Sequence, residues 1–352
     1  MSFIRKHPRL TLVAIQALIL VALALAAELV LRFLVSYRID YYTYVSTSSS
    51  VLKYPYGDIF VNSHGYPDVE WDLTDRRARI GVIGDSVTWG VGAGAGYRYT
   101  DLLAKRFLDR AFFNFSGVGQ NGIEGDEDIE EVLGLVRRYG LKKVVYGMNL
   151  NDILPPNEPG KPARHTFVTE AMDFATEYFD YLRGRSYLYT TLRTQVKVAL
   201  LRLGYEMHGL EAFELMPSKN EKVIRDTAGR INALARALGR EGVGFCVVVF
   251  PYEMQISAEA AKTYAGLGIK WEAAFENGLT QKILMSSFDR SFTAVDVLDG
   301  FRKIVGDTKA ARVGEYFVYN KGDKLDWNHP NRAGHRVIAD YLATAAPECV
   351  KP

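Results

Sequence analysis

From Leu10 to Ala27 the chain is almost wholly apolar, interrupted only by Thr11 and Gln16, and apolar character resumes from Leu29 to Val35. A run of this length predicts a helix that spans a bilayer. Glu28 and Arg32 fall four residues apart, one turn along one face of that helix, where they can pair near the far interface. Five shorter apolar runs follow: Arg79–Gly84, Ala111–Phe115, Lys143–Gly147, Gly244–Phe250 and Phe292–Val297. They read as buried strands, because a strand covered on both faces is a continuous apolar run.

Helical patterns separate the strands. Ile129, Val132, Leu133 and Val136 recur at helical spacing, and Gly140 stops that helix. Ser218-x-x-Glu221 predicts a capping box before a helix with Ile224, Ala228, Ile231, Ala235 and Leu238 on one face. A last helix begins near Asn331 and carries Val337, Ile338 and Leu342. Alternating strands and helices predict an α/β fold with a parallel sheet covered on both sides. Internal repeats and low-complexity tracts are absent.

The segment 154–217 breaks this rhythm. It opens with Pro155, Pro156 and Pro159, and Leu188, Leu192, Ala199, Leu200 and Leu203 predict an amphipathic helix beside Arg193, Lys197 and Arg202. It reads as a helical insertion packed on the domain; the sharper alternatives are a lid, a membrane-surface helix or a docking face. The expected organisation is a cytoplasmic N-terminus and anchor over 1–35, a Tyr/Ser-rich tether over 36–60, and a domain over 61–352 carrying the insertion.

Charge decides the orientation. Arg5, Lys6 and Arg9 precede the apolar run, so the N-terminus stays cytoplasmic and the main domain lies on the periplasmic or extracellular side. A cleaved signal peptide is the rival reading, since Ala24 to Ala27 offers small residues. A buried helix of a soluble protein fits the basic flank less well. The net charge of +2 gives no electrostatic case for a nucleic-acid partner. Of the two cysteines, Cys246 lies in an apolar run and reads as a core residue, with a bridge to Cys349 as the alternative.

The chemistry starts at Gly84-Asp85-Ser86, which places a serine where a buried strand stops. Ligands of open α/β sheets bind at the carboxyl ends of strands. The spacing is not that of the Gly-x-Ser-x-Gly elbow. A serine needs a base held in one tautomer. Asp326-x-x-His329-Pro330 supplies a pair from one loop just before the last helix, although Asp326 and Asn331 could instead serve as caps. The loop from Asn114 to Gly119 offers a backbone N–H, that of Gly119, to a developing oxyanion, and Asn151 offers a side-chain amide. His64 reads as structural or solvated, and His335 as solvent-facing. The run Gly90 to Gly96 fits a dinucleotide loop poorly, and no Cys/His cluster has metal-ligand spacing, so neither a cofactor nor a metal is expected.

Together these blocks resemble the SGNH, or GDSL-type, hydrolases, whose Ser, Gly, Asn and His lie in four ordered blocks. Gly84–Ser86 matches the first block, Asn114 to Gly119 is similar to the second, Asn151-Asp152 to the third, and Asp326-x-x-His329-Pro330 matches the last. The resemblance covers about residues 60–345, with 154–217 outside the common core. It implies a flavodoxin-like three-layer sandwich with a five-stranded parallel sheet. It also implies Ser86 as nucleophile, His329 as base and Asp326 as its orienter, with oxyanion donors from Ser86 N–H, Gly119 N–H and Asn151. The third block departs from the usual Gly-x-Asn-Asp: Gly147 precedes Asn149 by two, but no Asp follows Asn149. Asn149 is therefore the alternative donor.

The expected function is a membrane-anchored serine esterase or O-acyltransferase acting on O-acetyl groups of cell-envelope glycans. Its expected partners are the lipid bilayer, through residues 10–35, and an acylated carbohydrate or other ester. The alternative, from a different class, is a weakly active or inactive accessory subunit with a membrane-protein partner.

Overall fold

The computed structural model describes residues 7–34, 51–52, 57–117, 122–155, 174, 182, 186–202, 212–266, 269–306, 308–318 and 326–352. These fall into two compact units. The first contains helix α1 (Pro8–Leu34) and helix α5 (Tyr187–Arg202). α1 has a mean hydropathy of 2.6 over its most apolar window and is long and apolar enough to cross a membrane. The Glu28–Arg32 pair forms at 2.8 Å. Glu28 also accepts from Ser186 Oγ (2.8 Å), Tyr187 N–H (3.0 Å) and Leu188 N–H (2.8 Å), so an acid on α1 satisfies the open first turn of α5. Arg32 lies 5.3 Å from the centre of the Tyr187 ring. The amphipathic pattern expected in α5 does not give a covered apolar stripe at Leu192, which is 57% exposed. Leu203 and the proline-rich start of the insertion after Pro155 lie outside the described residues, as does most of the 36–60 tether.

The second unit is an α/β sandwich. A short antiparallel pair, β1 (Val51–Leu52) and β2 (Ile59–Phe60), precedes the main sheet. That sheet contains β3 (Ala78–Gly84), β4 (Arg110–Asn114), β5 (Lys143–Met148), β6 (Gly244–Val249) and β7 (Thr293–Asp296). The strand order is β4-β3-β5-β6-β7, and every pairing is parallel. Each expected strand is present, with ends shifted by a residue or two.

Helices α3 (Tyr99–Arg106), α10 (Leu298–Val305) and α11 (Arg332–Thr344) cover one face, where Tyr99, Leu103, Phe301, Ile338 and Leu342 meet Ile80, Val82, Val145 and Val248. Helices α4 (Asp126–Tyr139) and α6 (Glu221–Arg240) pack against each other, and α6 lies on β6. The expected stripe of α6 is buried at Ile224, Ala228, Ile231, Ala235 and Leu238. Its start differs from the Ser218 capping box. Asn220 is the N-cap, and Ser218 N–H instead donates to Glu272 Oε2 at 2.9 Å. With Asn220 as N-cap, Glu221 is the first helical residue and is too close to close the box.

Cys246 is a core residue as expected, and the bridge given as the alternative is present as well: Cys246 and Cys349 form a disulfide across 103 positions. The bridge ties the chain's end to β6, and Arg110 at the start of β4 donates to Val350 O (2.5 Å) and Lys143 at the start of β5 to Lys351 O (2.6 Å).

Where β3 and β5 end side by side, Thr88 and Tyr99 pack so closely on Gly84 and Gly147 that a side chain does not fit at either. A Cβ on Gly84, whose φ is +154°, would lie 2.5 Å from Thr88 Oγ1 and 2.6 Å from Gly147 O. One on Gly147 would meet Thr88 Oγ1 and lie 2.6 Å from Tyr99 Oη. Gly147→Ala is expected to cost about 1–3 kcal/mol by overpacking. Urea melts measure this cost; an unchanged midpoint would mean that the serine-bearing turn is free to move away.

Candidate active site

β3 ends at Gly84, and the next residues form helix α2 (Ser86–Trp89) with Asp85 as its N-cap. Asp85 Oδ1 accepts from Val87 N–H at 2.9 Å, which satisfies a donor of the first turn and sets Ser86 at the head of the helix. From below, Asn114 Nδ2 donates to Thr88 O at 2.9 Å, so the second block supports the serine turn.

The last block arrives from the far end of the chain. Asn331 caps α11 by accepting from Ala333 and Gly334 N–H at 2.8 and 3.2 Å. His329 O accepts from Val318 N–H at 2.9 Å, which pins the loop just before that cap. The two ends meet: Ser86 Oγ lies 2.7 Å from His329 Nε2, and His329 Nδ1 lies 2.7 Å from Asp326 Oδ1. Asp326 Oδ1 also accepts from His329 N–H at 3.3 Å. With Asp326 ionised, Nδ1 carries the proton and Nε2 is left to accept from the serine hydroxyl. All three residues are buried, with Ser86 at 9% and His329 at 8% exposure.

Of the two candidate amides, Asn149 rather than Asn151 is turned toward the serine block. Asn151 is exposed on the 3-10 turn Leu150–Asp152, whereas Asn149 is fully buried as its N-cap. Asn149 Nδ2 donates to Asp85 Oδ2 at 3.1 Å, and the same oxygen, 3.2 Å from Ser86 Oγ, is the longer alternative to His329 Nε2 as acceptor of the one serine proton. The cause is local: Asp152 accepts from Asn149 N–H at 3.0 Å, which closes the turn and leaves Asn151 on its outer side. Gly119 lies outside the described residues.

Asp85 itself is the residue that motif reading passed over, though its place as N-cap of the serine helix could have marked it. Burial raises its carboxyl above the ordinary range, opposed by the Val87 N–H bond, the His329 charge and the bonds from Asn149 and Ser86. Burial likewise raises Asp152 well above the ordinary range, and the nearby Asp85 adds to this. Asp152 accepts from Tyr146 Oη at 2.9 Å. A cavity of about 550 Å³ opens beside Asp85, lined by Ile83, Phe115, Ile123 and Tyr146 with Asp152 and Glu124.

Two other histidines lie in the packing. His64 stacks on Trp71 with ring centres 5.3 Å apart, as a structural role requires. His335 is not solvent-facing as expected but fully buried, because it shares the inward stripe of α11 with Ile338 and Leu342. Its Nδ1 accepts from Tyr99 N–H at 3.2 Å, and burial pushes its pKa down to about 3. Among the described residues no group of His, Cys, Asp and Glu is placed to hold a metal ion.

Residues 80–342 match the family model described as GDSL-like lipase/acylhydrolase. No curated protein matches the chain. Among solved structures, a psychrotrophic esterase from Pseudoalteromonas is 12% identical, covering 77% of this chain and 98% of that one with a TM-score of 0.39. A GDSL-like lipase from Bacteroides thetaiotaomicron is 11% identical, covering 77% and 88% with a TM-score of 0.38.

Proposed function

Because this chain belongs to the GDSL-like lipase/acylhydrolase family, we propose that it is a serine esterase or O-acyltransferase working through an acyl-enzyme on Ser86. The observation that carries this reading is the unbroken contact from Ser86 Oγ through the imidazole of His329 to Asp326, at 2.7 Å on each side. As Ser86 Oγ attacks the ester carbonyl, its proton passes to His329 Nε2, and the imidazolium that forms is stabilised by Asp326. That proton then leaves with the alcohol. Water or a sugar hydroxyl attacks the acyl-enzyme, with His329 again accepting the proton and returning it to Ser86 Oγ as the acyl–Oγ bond breaks. The developing oxyanion meets the Ser86 N–H at the head of α2 and the Asn149 amide; the N–H of Gly119 is the third expected donor.

The substrate class we propose is O-acetylated glycan of the cell envelope. The apolar helix α1 behind a basic N-terminus supports a single-pass anchor with the domain outside the cytoplasm. The Cys246–Cys349 bridge supports the same side, since disulfides persist in oxidising compartments.

The test compares wild type with Ser86→Ala in acetate release from an O-acetylated glycan and from 4-nitrophenyl acetate. The expected loss is about a thousandfold or more. Equal rates would remove Ser86 from the mechanism. A fluorophosphonate probe should label wild type at Ser86; a folded sample that takes no label and runs as a large complex on native gels would favour the accessory-subunit reading.

A further inference from the structure

The loop carrying Asp326 and His329 is held from behind by two side chains that this chemistry does not use. Glu253 follows β6 in the 3-10 turn Glu253–Gln255 and is 1% exposed; Tyr264, on helix α7 (Ala258–Gly266), is 2% exposed. Tyr264 Oη lies 2.6 Å from Glu253 Oε2 and 3.0 Å from the backbone oxygen of Asp326. The other carboxyl oxygen, Glu253 Oε1, accepts from Gly314 N–H at 2.5 Å. Glu253 N–H donates to Trp327 O at 2.8 Å, and the Tyr264 ring sits edge-on to Trp327 with centres 5.9 Å apart. Glu253 and Tyr264 thus grip residues 326 and 327 by backbone and ring alike.

We propose that Glu253 and Tyr264 are positioning residues for the Asp326–His329 pair, linked as a proton relay with two settings that ends on the Asp326 carbonyl. A phenol has one proton to give. When Glu253 is ionised, that proton points to Glu253 Oε2. When Glu253 is protonated, its own O–H donates to Tyr264 Oη, and the phenol proton turns to Asp326 O. The pair stays hydrogen-bonded in both settings, so the switch needs no movement of heavy atoms. The ionised setting places a negative charge behind the loop that carries Asp326 and His329, which favours the imidazolium formed in the transition state.

Among the described residues, the groups facing Glu253 are Asp326 from the loop, Tyr264 and Glu259 from α7, and the backbone N–H of Gly314. Burial raises the Glu253 carboxyl to about 7, with the Asp326 and Glu259 charges adding and the Tyr264 and Gly314 bonds opposing. The relay therefore changes setting near neutral pH. Below that point the carboxyl is neutral, and a glutamine reproduces it; above it, a glutamine lacks the charge.

The inference rests on His329 acting as the general base, and the experiment separates the two. kcat and KM for 4-nitrophenyl acetate are measured on the full chain for wild type, Ser86→Ala, Glu253→Gln and Tyr264→Phe. Relative to wild type, Glu253→Gln should lose about three- to tenfold in kcat at about pH 8, converge to within about twofold at about pH 6, and keep KM within about twofold throughout. Tyr264→Phe should lose several-fold in kcat at both pH values. A Glu253→Gln ratio that is the same at both pH values, with turnover dependent on Ser86, overturns the relay alone. If Ser86→Ala matches wild type, the hydrolase reading falls and the relay with it. Should Glu253→Gln fail to fold, Tyr264→Phe decides, and wild-type kcat at both pH values overturns the relay.

Discussion

His329→Ala is expected to lower kcat for ester cleavage by roughly three to six orders of magnitude, because members of such a unit fail together. Its imidazole is the sole group described within hydrogen-bond reach of Ser86 Oγ besides Asp85, at 2.7 Å against 3.2 Å. Asp85 is a poor substitute base, since its other bonds hold Val87 and Asn149 in place. Asp326→Asn should cost about 10⁴-fold, because an amide stabilises the wrong imidazole tautomer and cannot compensate the imidazolium. KM should move little in either case. The double variant Ser86→Ala/His329→Ala should be no slower than the slower single variant by more than about tenfold, since removing one partner already disables the other. Steady-state kinetics with a thermal melt on each variant checks this. Turnover by folded His329→Ala within tenfold of wild type would refute the arrangement.

The largest expected change in stability comes from the bridge. Cys246 is in β6 near the middle of the sheet and Cys349 is near the chain's end; both are fully buried. Closing 103 positions restricts the unfolded chain by about 4–5 kcal/mol in the loop-entropy model. The closed segment contains β7, α10 and α11, and so includes the loop that carries His329. Replacing both cysteines with alanine should cost about 2–5 kcal/mol, which for a chain of this size is a fall of roughly 3–7 °C in Tm. Calorimetry with and without reductant, and thiol counting in denaturant, check it. Two titratable thiols in unreduced, unfolded protein would rule the bridge out.

Much of the fold was legible because its signals are local. A strand covered on both faces reads as an unbroken apolar run, which is why β3, β5 and β6 were found nearly to the residue. α4 and α6 announced themselves by period, and Gly140 by its left-handed cap (φ +63°). Ser86, Asp326 and His329 were legible because each lies in a short block of unusual composition.

What escaped depends on rotation and distance. Asn149 and Asn151 differ by two positions on one turn, and only the closing of that turn on Asp152 points one of them at Asp85. His335 looks like a surface histidine until α11 turns that face onto Tyr99. Cys246 and Cys349 have no relation in the sequence until the chain's end is folded back to β6.

By itself the sequence determined the elements, their alternation, the apolar N-terminal helix and the Gly84–Ser86 block where β3 stops, because each is encoded by neighbours within a few residues. Tertiary structure alone decided which amide stands beside the serine, which cysteines join, and that Glu253 and Tyr264 brace the histidine loop. Those outcomes are contacts between segments tens to hundreds of residues apart, and packing rather than local preference selects them.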